Sequence, residues 1–405
     1  MNITVYRAQN QTSVLVELAT ATSKIIVDSG VTLEENEVLL LPELQAQYAF
    51  SKVDAVFLSH YNTDHVTMAR GLLDAVPVYA GKLAAKMATA AEGYKAKKPF
   101  PFAGYYAHGV PIVAGDIRVT PFLVDDSLHE GYLLLIEGEG KRVVYAGDYR
   151  ANGRKRFEEM LAGLPNRVDA VLCEGGVLTE QDSNPVTEPK LEEQLEALLQ
   201  TAKGPVFALL SPVDFDRTET LFQVAKRCKR VLLEDLYLAQ IAGAAGKAMP
   251  NPTDRAGVRA YLTTGYKAEH PRYQMFTALP RVSKAEIAEQ RFVLCLRPGM
   301  KKYLKTLSQE LRLRDGLLVN LLPDAIADRA VTKEYLAFAA QKGLAVHTLR
   351  CSGHANAMAV KALVEAVHPT QIMPLERGNV AWFAQQYPKF LVVEEDHVII
   401  GGASL

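Results

Sequence analysis

Two imidazoles, a carboxamide and a carboxylate fall within the six residues His60-Tyr61-Asn62-Thr63-Asp64-His65. They follow an apolar, β-branched run over 53–59 and precede a stretch over 66–75 with apolar residues at helical spacing. A loop at the carboxyl end of a buried strand is where α/β proteins place ligands, because the strand anchors the loop rigidly. Imidazole nitrogen and carboxylate oxygen are ordinary ligands of Zn²⁺, Fe²⁺ and Mn²⁺. The segment is therefore a metal-site candidate. It also suits a plain polar loop in which Asp64 caps the following helix and the histidines face solvent.

Three further segments put a single reactive side chain after a strand. Tyr145-Ala146-Gly147-Asp148-Tyr149-Arg150 ends an apolar run at glycine and offers Asp148, although an acid after a glycine turn is commonly only a turn residue. Arg350-Cys351-Ser352-Gly353-His354-Ala355 offers His354 just before a helical pattern over 356–367, where a structural histidine is equally at home. Met373-Pro374-Leu375-Glu376-Arg377-Gly378 offers Glu376, for which a surface ion pair with Arg377 is the plain alternative.

These segments need a scaffold of alternating strands and helices, and the chain has room for one. It has 405 residues, 49% hydrophobic and 22% charged, which excludes a disordered, collagen-like or coiled-coil chain. At ~150 residues per domain that length holds two or three domains. Lys plus Arg (45) and Asp plus Glu (46) nearly cancel, so the chain is not a wholly basic nucleic-acid binder. No apolar run approaches the ~20 residues of a membrane span. The four cysteines show no CxxC spacing, so a zinc ribbon or thioredoxin-type motif is not expected. With no secretory signal pattern at residues 1–18, a reduced, cytoplasmic setting is the expectation.

Strands are expected over 13–18, 24–28, 53–59, 77–79, 117–121, 132–136 and 141–146. A second α/β texture begins near Glu180, with a helix over 189–202 started by proline, a buried strand over 205–210 and a helix over 216–229. Later strands are expected over 231–233, 292–296, 344–349, 371–375 and 390–393. The chain thus reads as an α/β protein with a second α/β unit of roughly 160 residues inserted into the first.

In this order the motifs resemble the metallo-β-lactamase fold, and specifically its β-CASP branch of nucleic-acid-processing hydrolases, which includes ribonuclease J and the cleavage-and-polyadenylation endonuclease. The acidic turn Asp28-Ser29-Gly30 is similar to the family's first motif. His60 to His65 resembles HxHxDH, and Gly147-Asp148-Tyr149 resembles the GDF/GDY motif. Glu174 matches the acid that opens the β-CASP insert, Ser211-Pro212-Val213-Asp214 with Arg217 its first strand–helix unit, and Ser352-Gly353-His354-Ala355 the SGHA segment that closes it. The resemblance implies an αββα sandwich (1–178 and 345–405) interrupted by a β-CASP domain (179–344).

The motifs also depart from the family. Asn62 replaces the second histidine of HxHxDH, Asp126 and Glu376 stand where histidine ligands are expected, and Arg350 replaces the first histidine of HxSGHA. The stretch from Cys295 to Pro298 lacks the expected Gly-Ser-Gln. His129, three residues after Asp126, is an alternative ligand at that place. Since Asn, Asp and Glu all offer oxygen, the resemblance implies a re-tuned, oxygen-rich site that prefers Mn²⁺, Mg²⁺ or Fe²⁺ over Zn²⁺.

By resemblance, His60, Asn62, Asp126 and Asp148 would hold one divalent metal. Asp64, His65 and Glu376 would hold a second, sharing Asp148. Asp64, Glu174 and His354 would serve catalysis, with His354 protonating the leaving oxygen. Arg217, Arg350, Lys301 and Lys302 are candidate phosphate contacts. The implied activity is hydrolysis of phosphodiesters, RNA above all, by a protein that avoids membranes and forms a homodimer. Two other readings stay open: a catalytically inactive binding or scaffold protein, and a small-molecule metallohydrolase.

Overall fold

The computed structural model describes residues 1–7, 14–29, 52–61, 76–95, 102–127, 130–155, 157–175, 178, 186–262, 266–376 and 379–401; of these, the side chains of 158, 324 and 325 are not described. The chain forms two compact units. The first comprises Met1–Ala88, Pro99–Pro185 and Gly353–Leu405; the second comprises Thr89–Lys98 and Val186–Ser352.

Among the described residues, the first unit is built on two seven-stranded sheets. One contains β1 (Asn2–Arg7), β2 (Val14–Ala19), β3 (Lys24–Ser29), β4 (Ala55–Phe57), β5 (Val78–Ala80), β6 (Gly104–Tyr105) and β21 (His397–Ile399), in the order β21-β1-β2-β3-β4-β5-β6. The other contains β7 (Ile112–Ala114), β8 (Ile117–Val124), β9 (Gly131–Gly138), β10 (Lys141–Tyr145), β11 (Val168–Cys173), β19 (Pro369–Pro374) and β20 (Leu391–Val392), in the order β20-β19-β11-β10-β9-β8-β7.

Alternation along each strand sends one set of side chains between the sheets and the other set outward. Ile3, Val16, Ile25, Val27 and Phe57 of the first sheet meet Val119, Leu134, Ile136, Tyr145 and Leu172 of the second in one core. Because both faces of the second sheet are buried, β9 reads YLLLI without a polar interruption. Its outward set, including Val124, Val144 and Val171, packs on the helices α2 (Phe157–Leu161), α10 (Ala357–Val367) and α11 (Val380–Gln386). The outward face of the first sheet, with Ile26, Val56 and Val78, meets Ala88 of α1 (Lys82–Tyr94). The layers therefore run helix, sheet, sheet, helix, the αββα sandwich that the resemblance implies.

The second unit has one all-parallel sheet of β12 (Val206–Leu209), β13 (Val231–Glu234), β14 (Val258–Tyr261), β15 (Arg281–Val282), β16 (Phe292–Leu296), β17 (Leu317–Asn320) and β18 (Ala345–Thr348). The order is β15-β14-β13-β16-β12-β17-β18. Helices α3 (Glu188–Thr201), α4 (Phe215–Arg227), α5 (Leu236–Ala245), α6 (Pro271–Ala278), α7 (Lys301–Glu310), α8 (Asp324–Ala327) and α9 (Ala330–Gln341) connect the strands. Leu304 and Leu307 of α7 and Tyr335 and Ala339 of α9 cover one face, packing on Phe207, Leu294 and Leu318.

Sequence reasoning misses the helices α1, α2, α5 to α9 and α11, and among the strands β1, β14 and β17, because short buried strands lack a periodic signature of their own. The helix expected over 66–75 lies outside the described residues. No helix among the described residues is long and apolar enough to cross a membrane.

Candidate metal centre

Strand direction decides where the acids go. β8 and β10 are both antiparallel to β9, while β10, β11 and β19 are mutually parallel, so β8, β10, β11 and β19 all finish at one edge of their sheet. Just past those four ends stand Asp126, Asp148, Glu174 and Glu376. From the other sheet, the parallel strands β3 and β4 finish at Asp28-Ser29 and just before Ser59-His60. The backbone bond from Tyr132 N to Ser59 O (3.1 Å) and the Tyr145 bond to Asp28 (2.7 Å) bring the two sets of ends together.

Asp28 is fully buried and left-handed, with φ at 51°. Its Oδ1 accepts the Ser59 amide at 2.7 Å, and its Oδ2 accepts the hydroxyls of Ser59 at 2.6 Å and Tyr145 at 2.7 Å. The single hydroxyl proton of Ser59 is thereby used. Ser59 Oγ lies 2.9 Å from His60 Nδ1, so it accepts there and Nδ1 carries the hydrogen. This leaves Nε2 of the buried His60 turned to Asp148 Oδ2, 3.4 Å away. A histidine whose outer nitrogen is held in this way presents its inner nitrogen as a ligand should. Burial and the Asp28 charge also push the Tyr145 phenol well above its ordinary range.

Asp148 reaches its place through Gly147, whose φ is +37°; a Cβ there would lie 2.9 Å from Ser59 Oγ, so only glycine lets the two loops touch. Asp148, Glu174 and His354 form a group whose potential ligand atoms lie within 4.8 Å of one another. His354 Nδ1 donates to Glu174 Oε2 at 2.6 Å and lies 3.8 Å from Asp148 Oδ1. Glu174 Oε1 also accepts the amides of Tyr149 (3.2 Å) and Ala355 (2.9 Å). Glu376 Oε2 accepts the amide of Gly175 at 2.9 Å and the side chain of Asn379 at 3.2 Å.

Burial raises the carboxyls of Glu174 and Glu376 above the usual carboxylate range, and the charge of Asp148 pushes both further up, while His354 acts against it. Asp126 is buried at the end of β8. Its Oδ1 receives only a long bond from Ser127 (3.4 Å), and its Oδ2 has no hydrogen-bond partner among the described residues. A crowd of buried carboxylates with an orphaned oxygen and two oriented imidazoles fits a divalent cation, which would neutralise the mutual repulsion.

The structure thus brings together Asp148, Glu174 and His354, sets His60 against Asp148, and buries Asp126 and Glu376 at neighbouring strand ends. Asn62, Asp64, His65 and His129 lie outside the described residues. One expectation is corrected. Arg217 is not a phosphate contact: its guanidinium is buried, ion-paired to Glu188 and bonded to the Cys351 carbonyl. Lys301 is paired to Glu334 at 3.3 Å, while Lys302 and Arg350 are exposed. Sequence reasoning missed Ser59, Tyr145 and Asn379 as orienting groups. Only the adjacency of Ser59 to His60 hinted at any of them.

Residues 6–159 match the family model described as Metallo-beta-lactamase superfamily. No curated protein matches the sequence. A solved structure from Enterococcus faecalis V583, described as a protein of unknown function, superposes with a TM-score of 0.73 at 17% identity, over 98% of this chain and 99% of its own. At that identity the likeness shows the fold alone. The metallo-beta-lactamase fold protein YhfI from Bacillus subtilis gives a TM-score of 0.35 at 18% identity, over 47% of this chain and 79% of its own. The mixed α/β architecture, with its αββα sandwich, is consistent with the metallo-β-lactamase fold.

Proposed function

We propose that this protein is a metal-dependent hydrolase of phosphodiesters acting on RNA, of the ribonuclease J type, with an oxygen-rich metal site. The observation that carries this reading is the convergence of Asp148, Glu174 and His354, with the Nε2 of His60 turned to Asp148. Domains of the metallo-β-lactamase superfamily are typically metal-dependent hydrolases, and the second, all-parallel unit takes the role of a β-CASP insert.

His60, Asp126, Asp148 and Glu376 would hold the metal, joined by Asn62, Asp64 and His65. A bound divalent ion there supplies an acidified water and stabilises charge on the phosphate oxygens. The remaining chemistry belongs to the chain. Glu174 holds His354 Nδ1 at 2.6 Å, which fixes the ring and directs Nε2 outward. His354 is 40% exposed, enough to meet a substrate, and gives its proton to the leaving oxygen. Glu174 keeps the imidazolium stable until that transfer, since its carboxylate faces the ring and two backbone amides hold it in place. With acids replacing histidines, Mn²⁺, Mg²⁺ or Fe²⁺ is favoured over Zn²⁺.

Metal analysis of protein purified without chelator, followed by hydrolysis assays across a cation panel, tests the reading. A stoichiometric transition metal and Mn²⁺-dependent cleavage support it. A site that takes no added metal, with no cleavage, supports a scaffold instead.

A small phosphodiester as substrate is favoured by one finding: Arg217, a candidate phosphate contact, is buried and paired to Glu188, in a chain of net charge −1. Long RNA binding rests on Lys and Arg neutralising phosphates, so its affinity falls steeply with salt. A flat salt response points to the small substrate.

A further inference from the structure

Asp126 and Asp148 leave strands that are not neighbours. β8 and β10 lie on either side of β9, so their ends stand roughly 10 Å apart, twice the ~4.8 Å between paired strands. Two carboxylates that share one cation need their oxygens much closer than that, because hard divalent ions hold oxygen at ~2.0–2.6 Å. The loops that follow the two strands must therefore close over the start of β9.

They do so through the residues beside the two acids. The Arg150 amide donates to the Asp125 carbonyl at 2.9 Å, which joins the loop after β10 directly to the loop after β8. The side chains repeat that link: Arg150 Nε lies 3.7 Å from Asp125 Oδ1, and both residues are fully buried. A Cβ at Gly153 would lie 2.0 and 2.5 Å from the Asp125 carboxylate oxygens, so the loop after β10 lays its backbone against that carboxylate. Lys155 Nζ donates to the carbonyl of Val124, the last residue of β8, at 3.3 Å. At the start of β9, Gly131 leaves the room: a Cβ there would meet Asp126 Cβ at 2.7 Å and Oδ2 at 3.0 Å. A buried ion pair adds little stability over apolar side chains, because desolvation offsets most of the attraction, so its value lies in what it aligns. From this pair it is one residue to Asp126 and two to Asp148.

We propose that Asp125 and Arg150 are positioning residues: they close the two loops over β9 and so set the separation of Asp126 and Asp148 to suit a small divalent cation. This rests on the proposed metal site for the choice of cation, but not for the closure of the loops.

Two variants test it. Arg150→Gln combined with Asp125→Asn removes both charges together and leaves no unpaired buried ion. Gly153→Ala keeps both charges and puts a methyl group where the Asp125 carboxylate lies. Titration calorimetry on metal-free protein follows the binding of Mn²⁺ alone and of Ca²⁺ alone. In each folded variant the Mn²⁺ affinity should fall at least tenfold and the Ca²⁺ affinity less than threefold, because Ca²⁺ accepts longer and less regular coordination. Hydrogen exchange of the Arg150 amide, read without metal, should quicken at least tenfold. An unchanged ratio of Mn²⁺ to Ca²⁺ affinity overturns the proposal, whether both affinities hold or both fall together. If the wild type takes up neither ion, the metal reading fails by itself, and the exchange rates still decide the role of the pair: unchanged rates in both variants refute the closure.

Discussion

Replacing Asp28 by Asn tests how the orientation of His60 is set. Asn tolerates the left-handed backbone at φ 51°, so the exchange is close to isosteric. The carboxylate accepts three bonds, from the Ser59 amide and the Ser59 and Tyr145 hydroxyls, at 2.6–2.7 Å. An amide cannot accept all three. If its oxygen stays on the Ser59 amide, its NH₂ faces both hydroxyls and they must turn to accept. Ser59 then has a proton to give, and its neighbour at 2.9 Å is His60 Nδ1. The tautomer flips, and Nε2 presents a hydrogen to Asp148 where it had presented a lone pair. Bonds to a charged group contribute ~1.5–3 kcal/mol each and neutral ones ~0.5–1.5, so the exchange should cost about 3 kcal/mol of stability. Metal affinity should fall 10–100-fold, the usual effect of losing an outer-shell partner. Chemical denaturation reads the first effect, and competition with a fluorescent chelator the second. A folded Asp28→Asn protein that binds Mn²⁺ as the wild type does would refute the hydrogen-bond argument.

Three further outcomes are expected. His354→Ala should lower turnover at least 100-fold while leaving metal content and substrate binding nearly unchanged; with the wild type, Mn²⁺ should support hydrolysis better than Zn²⁺ in the same assay. Glu234, buried in β13 with neither oxygen bonded among the described residues, has its carboxyl raised well above the usual range by burial and then by Asp235. A raised acid stabilises the fold fully below its unfolded value near pH 4 and loses that contribution as pH rises through the folded value, by up to about 1.4 kcal/mol per unit. Glu234→Gln should therefore gain stability over the wild type as pH rises from 5 to 8; parallel urea-unfolding profiles would contradict this. Gly147→Ala, with φ +37° and a Cβ 2.9 Å from Ser59 Oγ, should cost about 1–3 kcal/mol and weaken metal binding, as calorimetry and chelator competition would register.

Alternation of apolar runs and helical patterns made the α/β class legible, because burial on both faces of a sheet forces runs such as YLLLI in β9. The polar side chains that end such runs, Asp148, Glu174 and Glu376, could be singled out for the same reason: a chain leaving a buried strand meets the first place where a charge is affordable. Sequence alone also marked the unusual presence of Asp126 and Glu376 where histidines were expected. What it could not contain was strand direction. That β8, β10, β11 and β19 finish at one edge follows from pairings between residues up to 201 positions apart, such as Val168 with Pro369. Nor could it show that Ser59 and Tyr145 converge on Asp28 and so choose the His60 tautomer, since hydrogen bonds across two sheets leave no local pattern. Arg217 is the clearest case. In the sequence it is one arginine on an amphipathic helix, free to meet a phosphate. Only the packing of α3 against α4 puts Glu188 beside it, and a buried guanidinium must take the partners that the fold supplies.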